Sequence, residues 1–300
     1  KVKYRAIGQV VDRRSLIMSL VLNWLIGPAL MFALAWLLLP DLPEYRTGLI
    51  IVGLARCIAM VLIWNALACG DGEAGAVLVV LNSVFQVAAY ALLGYFFLDL
   101  LPGWLGLDQT AVDFALWDIA KSVLIFLGVP LVLGFLTSLI GRKRKGDEWY
   151  EQRFLPRIGP FALYSLLFTI VILFAIQGKA ITSQPLDVVR IAVPLGVYFA
   201  LMWTAAFAWG RAQGLAYPKT ATLAFTAAGN NFELAIAVAI GTFGVGSGQA
   251  LAGVVGPLIE VPALIMLVYV SLWAGKRFFR ALGPSTERVD NTRRGSGAAG

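Results

Sequence analysis

Histidine is absent from the 300 residues, cysteine occurs twice, and only 14% of the chain is charged, against roughly 25% in an ordinary soluble domain. Without imidazole the usual haem and zinc ligands are missing, so no metal site and no redox or metalloenzyme chemistry is expected. Two cysteines, Cys57 and Cys69, are too few for a disulfide scaffold. On a helix their spacing of twelve residues corresponds to about 18 Å, too far for a neighbouring dithiol. No GxxxxGKS/T loop is present, which leaves nucleotide-driven work by this chain unsupported. No nucleophile is paired with a recognisable base, so no catalytic residue and no cofactor are assigned.

What the chain has in excess is apolar sequence: 59% of its residues are hydrophobic and its mean hydropathy is +0.80. Repeated apolar stretches of twenty or more residues read as membrane-spanning helices, and they lack the alternation of a membrane barrel. Eight spans are expected at about 16–39, 47–64, 75–100, 114–140, 158–178, 187–210, 219–243 and 249–274. Of the 24 Lys and Arg, nineteen fall in segments that would share one side, and only Arg46 and Lys179 fall in the opposite loops. By the positive-inside rule both ends of this chain and the loop Arg142-Lys143-Arg144-Lys145 are cytoplasmic. The formal charge of +7 is thus a topology signal, and no nucleic-acid partner is expected.

Spans two and seven run in opposite directions and both interrupt their apolar sequence with a polar cluster, Ala55-Arg56-Cys57 in one and Gly229-Asn230-Asn231-Phe232-Glu233 in the other. After each comes a run rich in small residues, a Gly-rich turn and a third span with polar groups inside it: Asn82 and Gln86 in the first, Gly256-Pro257 and Glu260 in the second. Cys57 and Glu233 are 176 residues apart, Gln86 and Glu260 174. Spans one to three therefore read as an inverted counterpart of spans six to eight. Spans four and five then belong to the second half without partners in the first, so a complete molecule is expected to have ten spans, two of them before Lys1. The expected organisation is a first repeat over 1–112 lacking its first two helices, a second repeat over 113–274, and a cytoplasmic tail, 275–300, read as disordered.

A charge at mid-membrane costs about 2.5–3.5 kcal/mol on insertion scales, so each such group needs a reason. Glu233 follows two asparagines and a glycine, which weaken helix propensity and expose backbone groups that need a partner or a polar cavity. It is the candidate for loading and releasing a proton, with a structural ion pair as its alternative. Glu260 faces the same choice, with Arg56 as the natural counter-ion for either. Asn82 and Gln86 lie one turn apart on one face, suited to interhelical hydrogen bonding or to lining a cavity. Cys57 stands beside Arg56 at the interruption, where a sulfur ligand for a soft centre would be placed.

At Gly53-Leu54-Ala55-Arg56-Cys57-Ile58-Ala59-Met60-Val61 with Trp64-Asn65, and at Asn230-Asn231-Phe232-Glu233-Leu234-Ala235-Ile236-Ala237, the sequence resembles the arsenical-resistance arsenite efflux permeases of the bile-acid:sodium symporter-like superfamily. Further stretches resemble the same family, among them Asn23-Trp24-Leu25-Ile26-Gly27-Pro28 and Gly256-Pro257-Leu258-Ile259-Glu260-Val261-Pro262. The resemblance implies an all-α polytopic fold of ten spans in two inverted repeats with two crossed broken helices. It also implies efflux of As(III), often with Sb(III), coupled to proton entry across the cell membrane. The family's essential cysteine matches Cys57 and its essential glutamate matches Glu233. Asn65-Ala66 and Cys69 depart from the family's usual Asn-Asp and Lys, which alters the charge at the cytoplasmic mouth.

Neutral As(OH)₃ offers no charge for a salt bridge, so it must be held by sulfur affinity, hydrogen bonds and shape. The expected substrate-binding set is Cys57 on the arsenic, Asn230, Asn231 and Arg56 on its hydroxyls, and Glu233 exchanging substrate for a proton; Glu260, Asn82 and Gln86 are secondary candidates. The competing readings are a sodium-coupled symporter for an organic anion, against which Cys57 speaks, and a membrane sensor or anchor, for which the sequence offers no docking domain.

Overall fold

The computed structural model describes residues 13–58, 60–107 and 116–279, and among these every regular element is helical. The basic segment before Arg13, the expected repeat boundary at 112/113 and the tail from residue 280 lie outside the described residues.

Among the described residues, five helices are each long and apolar enough to cross a membrane. Helix α1 is Arg13–Leu38, α4 is Gly72–Trp104, α5 occupies 116–145 with its apolar span at Ile119–Lys145, α7 is Pro185–Ala212 and α10 is Gly248–Phe278. A further long helix, α6, occupies 147–183. The remaining elements are short pairs: α2 (Pro43–Leu54) with α3 (Met60–Leu67), and α8 (Tyr217–Ala228) with α9 (Phe232–Phe243). Twelve residues of helix reach about 18 Å, little more than half of a ~30 Å hydrocarbon core, so α2, α8 and α9 are half-length elements.

Local chemistry sets the helix ends. Pro43 and Pro185 open α2 and α7, where their missing N–H costs nothing. Asp71 and Ser247 cap α4 and α10 by accepting the N–H groups of Ala74 (2.9 Å) and Ala250 (3.2 Å). Gly244 ends α9 at φ 92°, a left-handed conformation that favours glycine.

The core lies where α7, α2 and α9 pack on α10, with α8 against α7 and α1 against α2. Close approach there depends on absent side chains: a Cβ on Gly48 of α2 would fall 2.8 Å from the Gln249 carbonyl oxygen of α10. The apolar surface of α5 stays largely exposed, as lipid-facing helices require.

Candidate functional site

Helix α2 stops at Leu54 and α8 at Ala228, and the chain beyond each is extended, with Ala55 at φ −87°, ψ 116° and Gly229 at φ −72°, ψ 143°. The two extended stretches pair as an isolated antiparallel bridge between Arg56 and Asn230. The Cys57 N–H donates to the Gly229 carbonyl at 3.3 Å, and the Asn231 N–H donates to the Ala55 carbonyl at 3.0 Å. Each break therefore satisfies backbone groups that the other exposes, as a low-dielectric interior demands.

The bridge residues turn their own N–H groups outward. That of Arg56 donates to Gln86 Oε1 on α4, and that of Asn230 to Glu260 Oε1 on α10 at 3.4 Å. The following residue on each side caps the next half-helix. Cys57 Sγ accepts the Val61 N–H at the start of α3 (3.3 Å), and Asn231 Oδ1 accepts the Leu234 N–H at the start of α9 (3.1 Å). The cysteine sulfur thus lies at the positive end of a helix dipole.

The guanidinium of Arg56 is fully buried. Its Nη1 donates to the Tyr198 hydroxyl of α7 at 2.7 Å and to the Ala227 carbonyl at 3.5 Å, while Nη2 donates to the Gly53 carbonyl. Gly27 in α1 leaves the space, since a Cβ there would come within 2.9 Å of Nη1. Among the described residues no carboxylate forms an ion pair with Arg56, so the sequence-based expectation of a Glu233 or Glu260 counter-ion gives way to Tyr198 and helix-end carbonyls. Asn230 Nδ2 donates to the carbonyls of Val52 (2.8 Å) and Ala55 (3.2 Å). Three buried polar atoms around the bridge have no hydrogen-bond partner among the described residues: Arg56 Nε, Gln86 Nε2 and Asn230 Oδ1.

The sequence candidates Arg56, Cys57, Gln86, Asn230, Asn231 and Glu260 thus converge on one crossing. Asn82 stands apart, and Glu233 lies at the edge of the crossing. Asn82 accepts from Trp24 Nε1 at 3.1 Å and joins α4 to α1, an interhelical role. Glu233 lies in the first turn of α9, accessible among the described helices and within electrostatic reach of Glu260. Sequence reasoning missed Tyr198 and Gly27; a phenolic hydroxyl in an apolar span and a glycine before Pro28 were the available signals.

The sodium bile acid symporter family matches residues 1–184. An arsenical-resistance protein Acr3 of Corynebacterium glutamicum is 59% identical over 280 residues, covering 93% of this chain and 76% of that protein. An arsenical-resistance protein Acr3 of Alkaliphilus metalliredigens is 33% identical over 282 residues, covering 90% and 76%. An uncharacterized transporter of Synechocystis sp. is 37% identical over 276 residues, covering 86% and 70%. With a family match over more than half of its length and relatives this similar over most of it, the chain belongs to the sodium bile acid symporter family and, within it, to the Acr3 arsenical-resistance group.

Proposed function

We propose that this chain is a secondary transporter that exports arsenite, and antimonite with it, from the cytoplasm in exchange for protons. The observation that carries the reading is the Arg56–Asn230 bridge, which brings Cys57 and three unpartnered buried polar atoms to one crossing in a chain 59% identical to an arsenical-resistance protein. A trivalent arsenic or antimony hydroxide is neutral, has a soft centre, and both donates and accepts hydrogen bonds. The crossing offers a thiol for the centre, two spare donors (Arg56 Nε and Gln86 Nε2) and one spare acceptor (Asn230 Oδ1). Asn231 holds the α9 end in place, and Glu233, two residues on, takes up the proton when substrate leaves. A single sulfur contact leaves the substrate able to depart on the far side.

The same geometry supports an inverted repeat over 1–112 and 113–274, in which the eight apolar stretches act as spans and rocking around the crossing alternates access. Both ends of this chain are cytoplasmic in that scheme, with the basic run Arg142–Lys145 at the cytoplasmic end of α5 in the cell membrane. The family's name favours a second reading, a sodium-coupled symporter for an organic anion; the cysteine at the crossing, a ligand for a soft centre, speaks against it.

The test is accumulation of As(III) and Sb(III) in everted membrane vesicles with and without an imposed pH gradient. Gradient-dependent uptake supports the reading, and uptake that follows sodium instead refutes it.

A further inference from the structure

Metalloid binding does not require Arg56 in full, because its two terminal nitrogens are already bonded to helix-end carbonyls and the Tyr198 hydroxyl. We propose that Arg56 is a built-in cation that occupies the place of a coupling metal ion, and so makes this carrier independent of sodium. The inference rests on the carrier reading above.

Helices α2 and α8 both terminate at the crossing, so both present the negative ends of their dipoles there, about −0.5 charge each. Their last carbonyls lack intrahelical partners. Hydrogen bonds account for several of them: Tyr90 donates to Ile51, Asn230 to Val52, and the Gly229 N–H to Phe225. The Gly53 and Ala227 carbonyls, one from each helix, are taken by the Arg56 guanidinium, which also meets the Tyr198 hydroxyl. Two half-helix C-terminal ends and three oxygens, with no carboxylate in an ion pair with the guanidinium among the described residues, are together the surroundings in which inverted-repeat carriers hold a monovalent metal cation. Here a side chain of the protein supplies the positive charge, fully buried and unable to dissociate. The fit is built in: Gly27 leaves room for Nη1 and for the Tyr198 hydroxyl that meets it from α7. A sodium ion entering the same place would meet a fixed like charge in a low-dielectric interior.

The experiment measures the thermal midpoint of the purified, detergent-solubilised carrier in sodium chloride, in choline chloride, and in choline chloride with millimolar guanidinium, without arsenic. A cation that binds only the folded state raises the midpoint. Wild type should melt alike in all three. Arg56→Ala should melt several degrees lower in choline and recover in sodium or guanidinium, while Arg56→Lys, which keeps the charge, should stay insensitive to sodium. If Arg56→Ala does not fold, Arg56→Gln keeps a donor for the carbonyls without the charge and should show the same sodium response. Stabilisation of wild type by sodium, or neutral variants that respond to neither cation, would overturn the proposal. Because no metalloid is present, loss of As(III) transport with this pattern intact would defeat the arsenite reading alone.

Discussion

Gln86 does for Arg56 what Glu260 does for Asn230: each side-chain oxygen accepts the main-chain N–H of a bridge residue thirty positions earlier in the chain. The pairs are related by a shift of 174 residues, and the same shift carries Cys57, which caps α3, onto Asn231, which caps α9. Two unrelated local sequences thus build the same junction. The oxygen is the common requirement, so Glu260→Gln should fold with nearly unchanged stability. Glu260→Leu leaves the Asn230 N–H buried and unpaired and should cost about 1–3 kcal/mol. Thermal unfolding in detergent separates the two.

That shift also defines what the sequence could and could not reveal. Gly229-Asn230-Asn231 contains weak helix formers and a capping side chain, so the second break is legible from local chemistry. Ala55-Arg56-Cys57 contains no helix breaker; α2 ends there because the extended backbone finds partners on the other break, a tertiary cause. Sequence spacing matched Cys57 with Glu233 at 176 residues through their chemistry, whereas the backbone matches Cys57 with Asn231. The face of α9 that Glu233 takes depends on what packs around it and is invisible in a half-length apolar run. Arg56 was legible as a buried charge, but its partner was not, since a neutral tyrosine and two carbonyls leave no charge pattern to read.

Tyr198 holds the Arg56 guanidinium through a buried 2.7 Å hydrogen bond, and Gly27 leaves the space for it. Tyr198→Phe removes the hydroxyl while keeping the ring, which should cost about 1–3 kcal/mol because a charged donor loses its partner. Gly27→Ala pushes a methyl to within 2.9 Å of Nη1 and 3.1 Å of the Leu22 carbonyl oxygen. It should destabilise by about the same amount through overpacking. The double variant should cost less than the sum, since both act on one guanidinium.

Glycines in these helices divide by what surrounds them. A Cβ at Gly48 would lie 2.8 Å from the Gln249 carbonyl oxygen and 2.9 Å from its Cα, backbone atoms that cannot yield without parting α2 from α10. Gly48→Ala should therefore lower the thermal midpoint, by an amount corresponding to about 1–3 kcal/mol. Gly196 in α7 has nothing within 4 Å of the same position, so Gly196→Ala should be neutral or stabilising by up to about 1 kcal/mol through helix propensity.

In the loop between α1 and α2, the Asp41 carboxylate makes a two-pronged ion pair with Arg190 of α7, and this hydrogen bonding holds the acid below its ordinary value of 3.8. A carboxyl depressed in the folded state stabilises above its unfolded pKa, and the contribution disappears as pH falls through the lower folded value. The pair is exposed, so its contribution is small and screened by salt. Asp41→Asn should melt slightly below wild type from neutral pH down to about 4, and the difference should close only in stronger acid. A gap that persisted or widened below that range would mean that Asp41 acts through something other than Arg190.

Cys57 carries two roles that substitution can separate. Its sulfur accepts the Val61 N–H and so caps α3, a service that a serine oxygen performs well. Its other expected role, contact with a trivalent metalloid, needs sulfur. Cys57→Ser should therefore keep the folded structure, with a thermal midpoint near that of wild type, and lose As(III) uptake into everted vesicles. Cys57→Ala should lose both, with a capping penalty of about 1 kcal/mol in stability. Glu233→Gln supplies the complementary control. Its side chain is exposed, so stability should barely change, while the response of As(III) uptake to an imposed pH gradient should vanish. Full transport by Cys57→Ser would confine the cysteine to capping and leave the metalloid held by the amides and guanidinium of the crossing alone.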